Sequence, residues 1–128
     1  MKNIVLLGDL SVNALRMQLY FEDHNMAVML CTQTDALEGF PVPDALIVEV
    51  QDRLRLKEWL PALRSSWDIP ILLLASRLDR TKTAQLLDLG ADDCVYKPAD
   101  PAEVHAHLQA LWRRYPLSLQ HRQPTEML

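Results

Sequence analysis

Short, unbroken apolar runs alternate along this chain with longer stretches in which apolar residues return every three or four positions. The runs are Asn3–Gly8 (NIVLLG), Ala27–Cys31 (AVMLC), Ala45–Val50 (ALIVEV), Ile71–Ser76 (ILLLAS) and Cys94–Lys97 (CVYK). Continuous apolar runs of this length suit strands covered on both faces. Between and after them lie Ser11–His24, Thr34–Phe40, Asp52–Ser66, Arg80–Leu89 and Pro101–Tyr115. Strand then helix, about five times over, predicts an α/β fold: a doubly wound five-stranded parallel sheet with helices on both sides.

Local signals place the helix ends. Ser11 can cap a helix in which Val12, Leu15, Leu19 and Tyr20 share a face, and Asn25 follows its end. Gly90 stands where a left-handed C-cap belongs. Asp100 can cap the last helix, with Pro101 at its first position, and along it Val104, Leu108 and Leu111 recur at helical spacing. The second helix is short, barely two turns before Gly39 and Pro41. The third carries Pro61, so it either kinks or starts near Leu60. After Tyr115 the periodicity is lost. The expected division is a domain over 1–115 and a tail or linker over 116–128 that leads toward an effector domain.

Length and composition narrow the picture only a little. The chain's 128 residues make one ordinary domain, and a net charge of -4 provides no basic footprint, so direct nucleic-acid contact is not expected. Cys31 and Cys94 fall in apolar runs and read as buried, reduced thiols. The opening segment is too short and too lightly charged for a signal peptide, and no apolar run reaches membrane-spanning length. These features together predict a soluble cytoplasmic protein.

Ligands of doubly wound sheets sit beyond the C-terminal ends of the strands. That directs attention to Gly8 and Asp9, Glu49, Ala75 and Ser76, and Lys97. At these positions the chain resembles the response-regulator receiver family (CheY-like, flavodoxin-like (βα)5). PDALIVEV resembles the strand that ends in the family's phosphoryl-accepting aspartate. IPILLLAS resembles the strand that ends in Thr or Ser. LGADDCVYKPADPAEVHAHLQALWRR resembles the closing segment, above all that of the OmpR/PhoB branch. In the family, an acidic pair after the first strand helps bind Mg²⁺, and an aspartate accepts the phosphoryl group. A hydroxyl and a lysine then hold the phosphoryl oxygens, offsetting their charge.

Matched position by position, the chain departs from that pattern. Gly8 stands in place of the first acid, while Asp9 matches the second. Glu49 stands at the acceptor position, with Asp52, beyond the apolar run, held in reserve. Ala75 replaces the hydroxyl, with Ser76 one residue later, and Lys97–Pro98 matches, a candidate cis bond. The family's switch couples the hydroxyl position to an aromatic on the last strand; here those positions hold Ala75 and Cys94, with Tyr96 two residues on. The resemblance thus implies an atypical, degenerate receiver: no catalysis, no required cofactor, Mg²⁺ binding not expected. Glu49 either pairs with Lys97 in a permanently activated arrangement or forms a purely structural pair with it.

The same resemblance implies a homodimer through the fourth helix, last strand and last helix, with Asp92 and Asp93 as interface acids and His107 where the branch usually has arginine. It also implies a C-terminal DNA-binding domain outside this chain and a sensor kinase or other protein partner. The expected role is a phosphorylation-independent regulatory and dimerisation module of a transcription regulator. The alternatives are a stand-alone adaptor and a conventional phospho-acceptor. Flavodoxin-like ligand binding lacks a glycine-rich loop. His105 and His107, at i and i+2, read as surface residues and not as a metal pair. The Arg80–Lys82 segment reads as a solvated helix start, and Trp112 as half-buried packing.

Overall fold

The computed structural model describes residues 1–127, with side chains as far as Tyr115. The strands are β1 (Lys2–Leu7), β2 (Met26–Cys31), β3 (Ala45–Glu49), β4 (Ile71–Ala75) and β5 (Asp93–Tyr96). The α-helices are α1 (Val12–Asp23), α2 (Leu56–Ser66), α3 (Arg80–Asp88) and α4 (Pro101–Met127). All five strands are parallel, in the order β2-β1-β3-β4-β5. This is the expected doubly wound sheet, and each strand falls within a residue of its apolar run.

Strand geometry explains why the runs are continuous. Side chains alternate between faces, so a strand buried on both sides needs apolar residues at every position. Ile4, Leu6, Ile47, Leu72 and Leu74 pack with Met17 and Phe21 of α1 and with Val104 and Leu108 of α4. Val5, Leu7, Leu46, Val48 and Leu73 pack on the other face with Leu60 of α2 and Leu86 of α3. Chain direction across the sheet reverses between β1 and β3, and the crevice at that reversal is where such folds bind ligands.

Three helices differ from expectation. In α1 the buried residues are Ala14, Met17 and Phe21, while Val12, Leu15 and Leu19 are 74%, 50% and 67% exposed. Both triplets have helical spacing, so periodicity does not separate them; small Ala14 lets the helix sit close to the sheet and carries Phe21 into the core. The second helix is a single 3₁₀ turn, Thr34–Leu37. Gly39 follows in a left-handed conformation (φ 76°) and starts a loop broken by Pro41 and Pro43. Helix α2 runs through Pro61 instead of starting at Leu60. The proline sits at mid-helix, where it forfeits the bond to the Lys57 carbonyl.

The caps behave as read. Ser11 Oγ accepts from Ala14 N at 3.1 Å, and Asp100 Oδ1 accepts from Ala102 N at 2.9 Å. Asn25 (φ 62°) and Gly90 (φ 131°) take positive φ after α1 and α3. Helix α4 continues to Met127, past the point where periodicity fades. The side chains expected to form a tail at 116–128 lie outside those described.

An unforeseen tie closes the end of the sheet opposite the crevice. Arg64 donates to the carbonyls of Gly90 (2.9 Å), Trp67 (3.1 Å) and Ile69 (2.7 Å), and to Asp92 Oδ2 at 2.6 Å. One guanidinium thereby satisfies three loop carbonyls and fixes the entry to β4 and β5.

Candidate functional site

The strand ends bring Gly8, Asp9, Glu49, Ala75 and Lys97 to one end of the sheet. Glu49, the last residue of β3, extends toward β1. Its Oε1 accepts from Asp9 N at 3.0 Å, and its Oε2 lies 3.4 Å from Lys97 Nζ. The Glu49 side chain is only 12% exposed and Lys97 36%. A Cβ placed on Gly8 would lie 2.2 Å from Glu49 Oε1 and 2.8 Å from its Cγ and Cδ. Gly8 is therefore required by space and not by φ: the longer acid at 49 fills the volume that a side chain at position 8 would occupy. The two departures from the family pattern are physically one change.

Next to this pair a cavity of about 20 Å³, bounded by Asn13, Ala14 and Met17, has room for about one water. Lys97 N donates to Ala75 O at 2.8 Å, and the Lys97–Pro98 bond is cis.

Asp9 is engaged by two residues that sequence reasoning missed. Arg53 Nη2 meets Asp9 Oδ1 at 2.9 Å, and Gln51 Nε2 donates to Asp9 Oδ2 at 3.0 Å. Arg53 also donates from Nη1 to Thr32 O at 2.7 Å, so it spans the crevice between the ends of β1 and β2. The available signal was an arginine in the loop after β3; nothing in the sequence told that it reaches Asp9. Asp52 stands apart, in a 3₁₀ turn (Asp52–Leu54), paired with Lys82. Lys82 holds the Asp52 carboxyl below its ordinary range and is itself raised by the pair. Lys82 is thus an ion-pair partner and not a bare solvated helix start.

At the expected switch positions, Ala75 is fully buried at the end of β4. Ser76 does not stand in for the lost hydroxyl, because its Oγ caps the next turn by accepting from Leu78 N at 3.2 Å. Cys94 and Tyr96 share a face of β5 and pack against the α2–α3 side of the core. Burial pushes the Cys94 thiol up, with Thr83 partly opposing it. Tyr96 lies under the Arg77 guanidinium, 5.6 Å from ring centre.

The expected interface acids are occupied within the chain. Besides Arg64, Asp92 Oδ2 accepts from Ile71 N at 2.7 Å, and Tyr115 donates its hydroxyl to the same carboxylate at 2.8 Å. Asp93 meets His107 Nδ1 at 2.6 Å and accepts from Cys94 N at 2.8 Å. His105 is not a surface residue: it is 8% exposed, and its Nδ1 meets Tyr20 Oη at 3.0 Å. Burial first, and His24 second, lower its pKa. Trp112, half-buried as expected, donates to Asp44 O at 2.9 Å.

No protein-family model matches the chain. Among solved structures, it resembles the receiver domain of the TMAO respiratory system response regulator TorR, with a TM-score of 0.82 and 27% identity, covering 90% of this chain and 99% of that one. The fold is the α/β flavodoxin-like receiver fold found in response-regulator receiver domains. Its curated relatives are OmpR/PhoB-type response regulators. The sensory transduction protein BceR of Bacillus subtilis (strain 168) is 36% identical over 73 residues, 56% of this chain and 32% of that protein. The "Probable transcriptional regulator ycf27" of Cyanidium caldarium is 42% identical over 52 residues, 41% of this chain and 21% of that protein. The chain thus spans less than a third of either relative. Among the described residues, no helix is long and apolar enough to cross a membrane.

Proposed function

We propose that this domain is a receiver held in one state by its own side chains, serving without phosphoryl transfer as the regulatory module of a transcription regulator. The observation that carries the reading is Glu49. Its carboxylate bridges Asp9 N and Lys97 and fills the space over Gly8. A carboxylate that already draws on the lysine, beside a cavity with room for about one water, leaves little space for an in-line phosphoryl donor. Ala75 offers no hydroxyl to a phosphoryl oxygen.

The donor set does not fit the family's divalent cation. Mg²⁺ is held through carboxylates and waters. Here both Asp9 oxygens are taken by Arg53 and Gln51, and both Glu49 oxygens by Asp9 N and Lys97. In this reading Arg53 supplies the positive charge that the metal would bring. Incubation with acetyl phosphate and Mg²⁺, followed by intact-mass analysis, tests the proposal. The expected spectrum is unchanged, and a gain of one phosphoryl group refutes it.

Homodimerisation through α3, β5 and α4, a DNA-binding domain beyond this chain and a kinase or other protein partner belong to the same proposal, supported by likeness to OmpR/PhoB-type regulators. On that face Asp93 Oδ2 and His107 Nδ1 meet at 2.6 Å. Light scattering that finds only monomer at high concentration removes the dimer from it.

A further inference from the structure

The free edge of the sheet carries a second feature, independent of the site. Among the described residues, β2 ends the sheet and pairs with β1 alone. Its six residues, MAVMLC, include neither a charge nor a proline. Edge strands ordinarily carry lysine, proline or a bulge that blocks addition of another strand. The direction of its backbone groups follows from one bond: Gly8 N donates to Cys31 O at 2.8 Å. By alternation Ala27, Met29 and Cys31 turn their main-chain groups to β1, and Met26, Val28 and Leu30 turn theirs outward. Among the described residues, their one partner on that side is Gln18, whose Nε2 donates to Val28 O at 3.4 Å.

Beside this edge, the single 3₁₀ turn leaves part of the sheet uncovered. A groove of about 380 Å³ lies there, with Val5, Ala27, Met29, Phe40 and Val42 in its walls. Met29, Phe40 and Val42 are 39%, 38% and 56% exposed. Charge selects the occupant. From Met17 to Val48 the chain has no lysine or arginine, yet it carries Glu22, Asp23, Asp35, Glu38 and Asp44. Glu22 and Asp23 end α1 just before β2, Asp35 and Glu38 follow it, and all four are exposed. A second copy added edge to edge would bring these acids together, which disfavours self-pairing.

We propose that the β2 edge and its groove take up an extended apolar segment, flanked by lysine or arginine, from a partner protein. The segment adds as a further strand, with the outward groups of Val28 and Leu30 supplying main-chain bonds, the groove taking alternate side chains and the acids meeting its basic ends.

Amide NMR of the full chain tests this with two synthetic peptides of alternating valine and threonine, one flanked by lysines and the other by glutamates. The lysine peptide is expected to shift Met26–Cys31 and the loop at Phe40 and Val42. It slows exchange at Val28 and Leu30 while leaving Ala27 and Met29, already bonded to β1, unchanged. At low salt it binds about tenfold more tightly than the glutamate peptide, a margin that narrows as salt screens the acids. Val28→Pro removes an outward N–H without touching the β1 ladder and abolishes binding. Met29→Lys keeps the backbone donors and weakens binding of the lysine peptide, which keeps the test decisive should Val28→Pro not fold. Equal binding of both peptides, shifts centred elsewhere, unchanged binding by the folded variants, or self-association through the same amides overturns the proposal.

Discussion

Gly8→Ala sets the new methyl against the Glu49 side chain, 2.2 Å from Oε1. The backbone at Gly8 has no positive φ, so alanine itself is tolerated and the conflict is purely steric. Glu49 must swing into water and give up two interactions. The bond from Asp9 N to its carboxylate is a charge-assisted one at the rim, and its loss costs about 1.5 kcal/mol. The Lys97 contact is partly solvated and adds at most about 1 kcal/mol. Gly8→Ala alone should therefore cost about 2 kcal/mol, and Glu49→Ala, which loses the same bonds, a similar amount. In the Glu49→Ala background the three atoms that a methyl at position 8 crowds are gone, and reduced entropy of the unfolded chain should recover about 0.4–1 kcal/mol. A double-mutant cycle read by urea denaturation should show a coupling of about 2–3 kcal/mol, the double variant being more stable than the sum predicts. Additivity to within about 0.5 kcal/mol would refute the idea that Gly8 exists to accommodate Glu49.

Asp92→Ala strips Arg64 of its anion and Ile71 N of its acceptor, in a site about three-quarters buried. It should destabilise the protomer by about 3 kcal/mol in urea melts, whereas a carboxylate used only between protomers would leave monomer stability unchanged. Arg53→Ala should change stability by less than about 1 kcal/mol because the Asp9 pair is exposed. The same variant should gain a thermal shift with Mg²⁺ that the parent lacks, and its absence counts against Arg53 as the substitute cation. The proton on His105 gives a pH dependence. Burial lowers its pKa in the folded state, so below the ordinary value of 6.5 the unfolded chain binds more protons and stability falls as pH drops. His105 faces Tyr20, Phe21 and His24. His105→Leu should flatten the slope of stability below pH 6.5, and an unchanged slope assigns it to other groups.

The sequence by itself determined the strands, their parallel direction and most helix ends, because burial on both faces demands unbroken apolar runs and caps demand particular residues. It also marked Gly8, Glu49 and Ala75 as the places where a receiver-like site departs from its pattern, and Lys97 as the place where it keeps it. Tertiary structure decided what a local signal leaves equivalent. Two triplets on α1 have the same spacing, and only packing against the sheet chose Ala14, Met17 and Phe21 over Val12, Leu15 and Leu19. His105 resembled any polar helix residue until α1 brought Tyr20 and His24 against it. Arg53 on Asp9, Arg64 on Asp92 and the space shared by Gly8 and Glu49 join residues far apart along the chain. Such contacts depend on where strand ends meet, and no periodicity in the sequence encodes that.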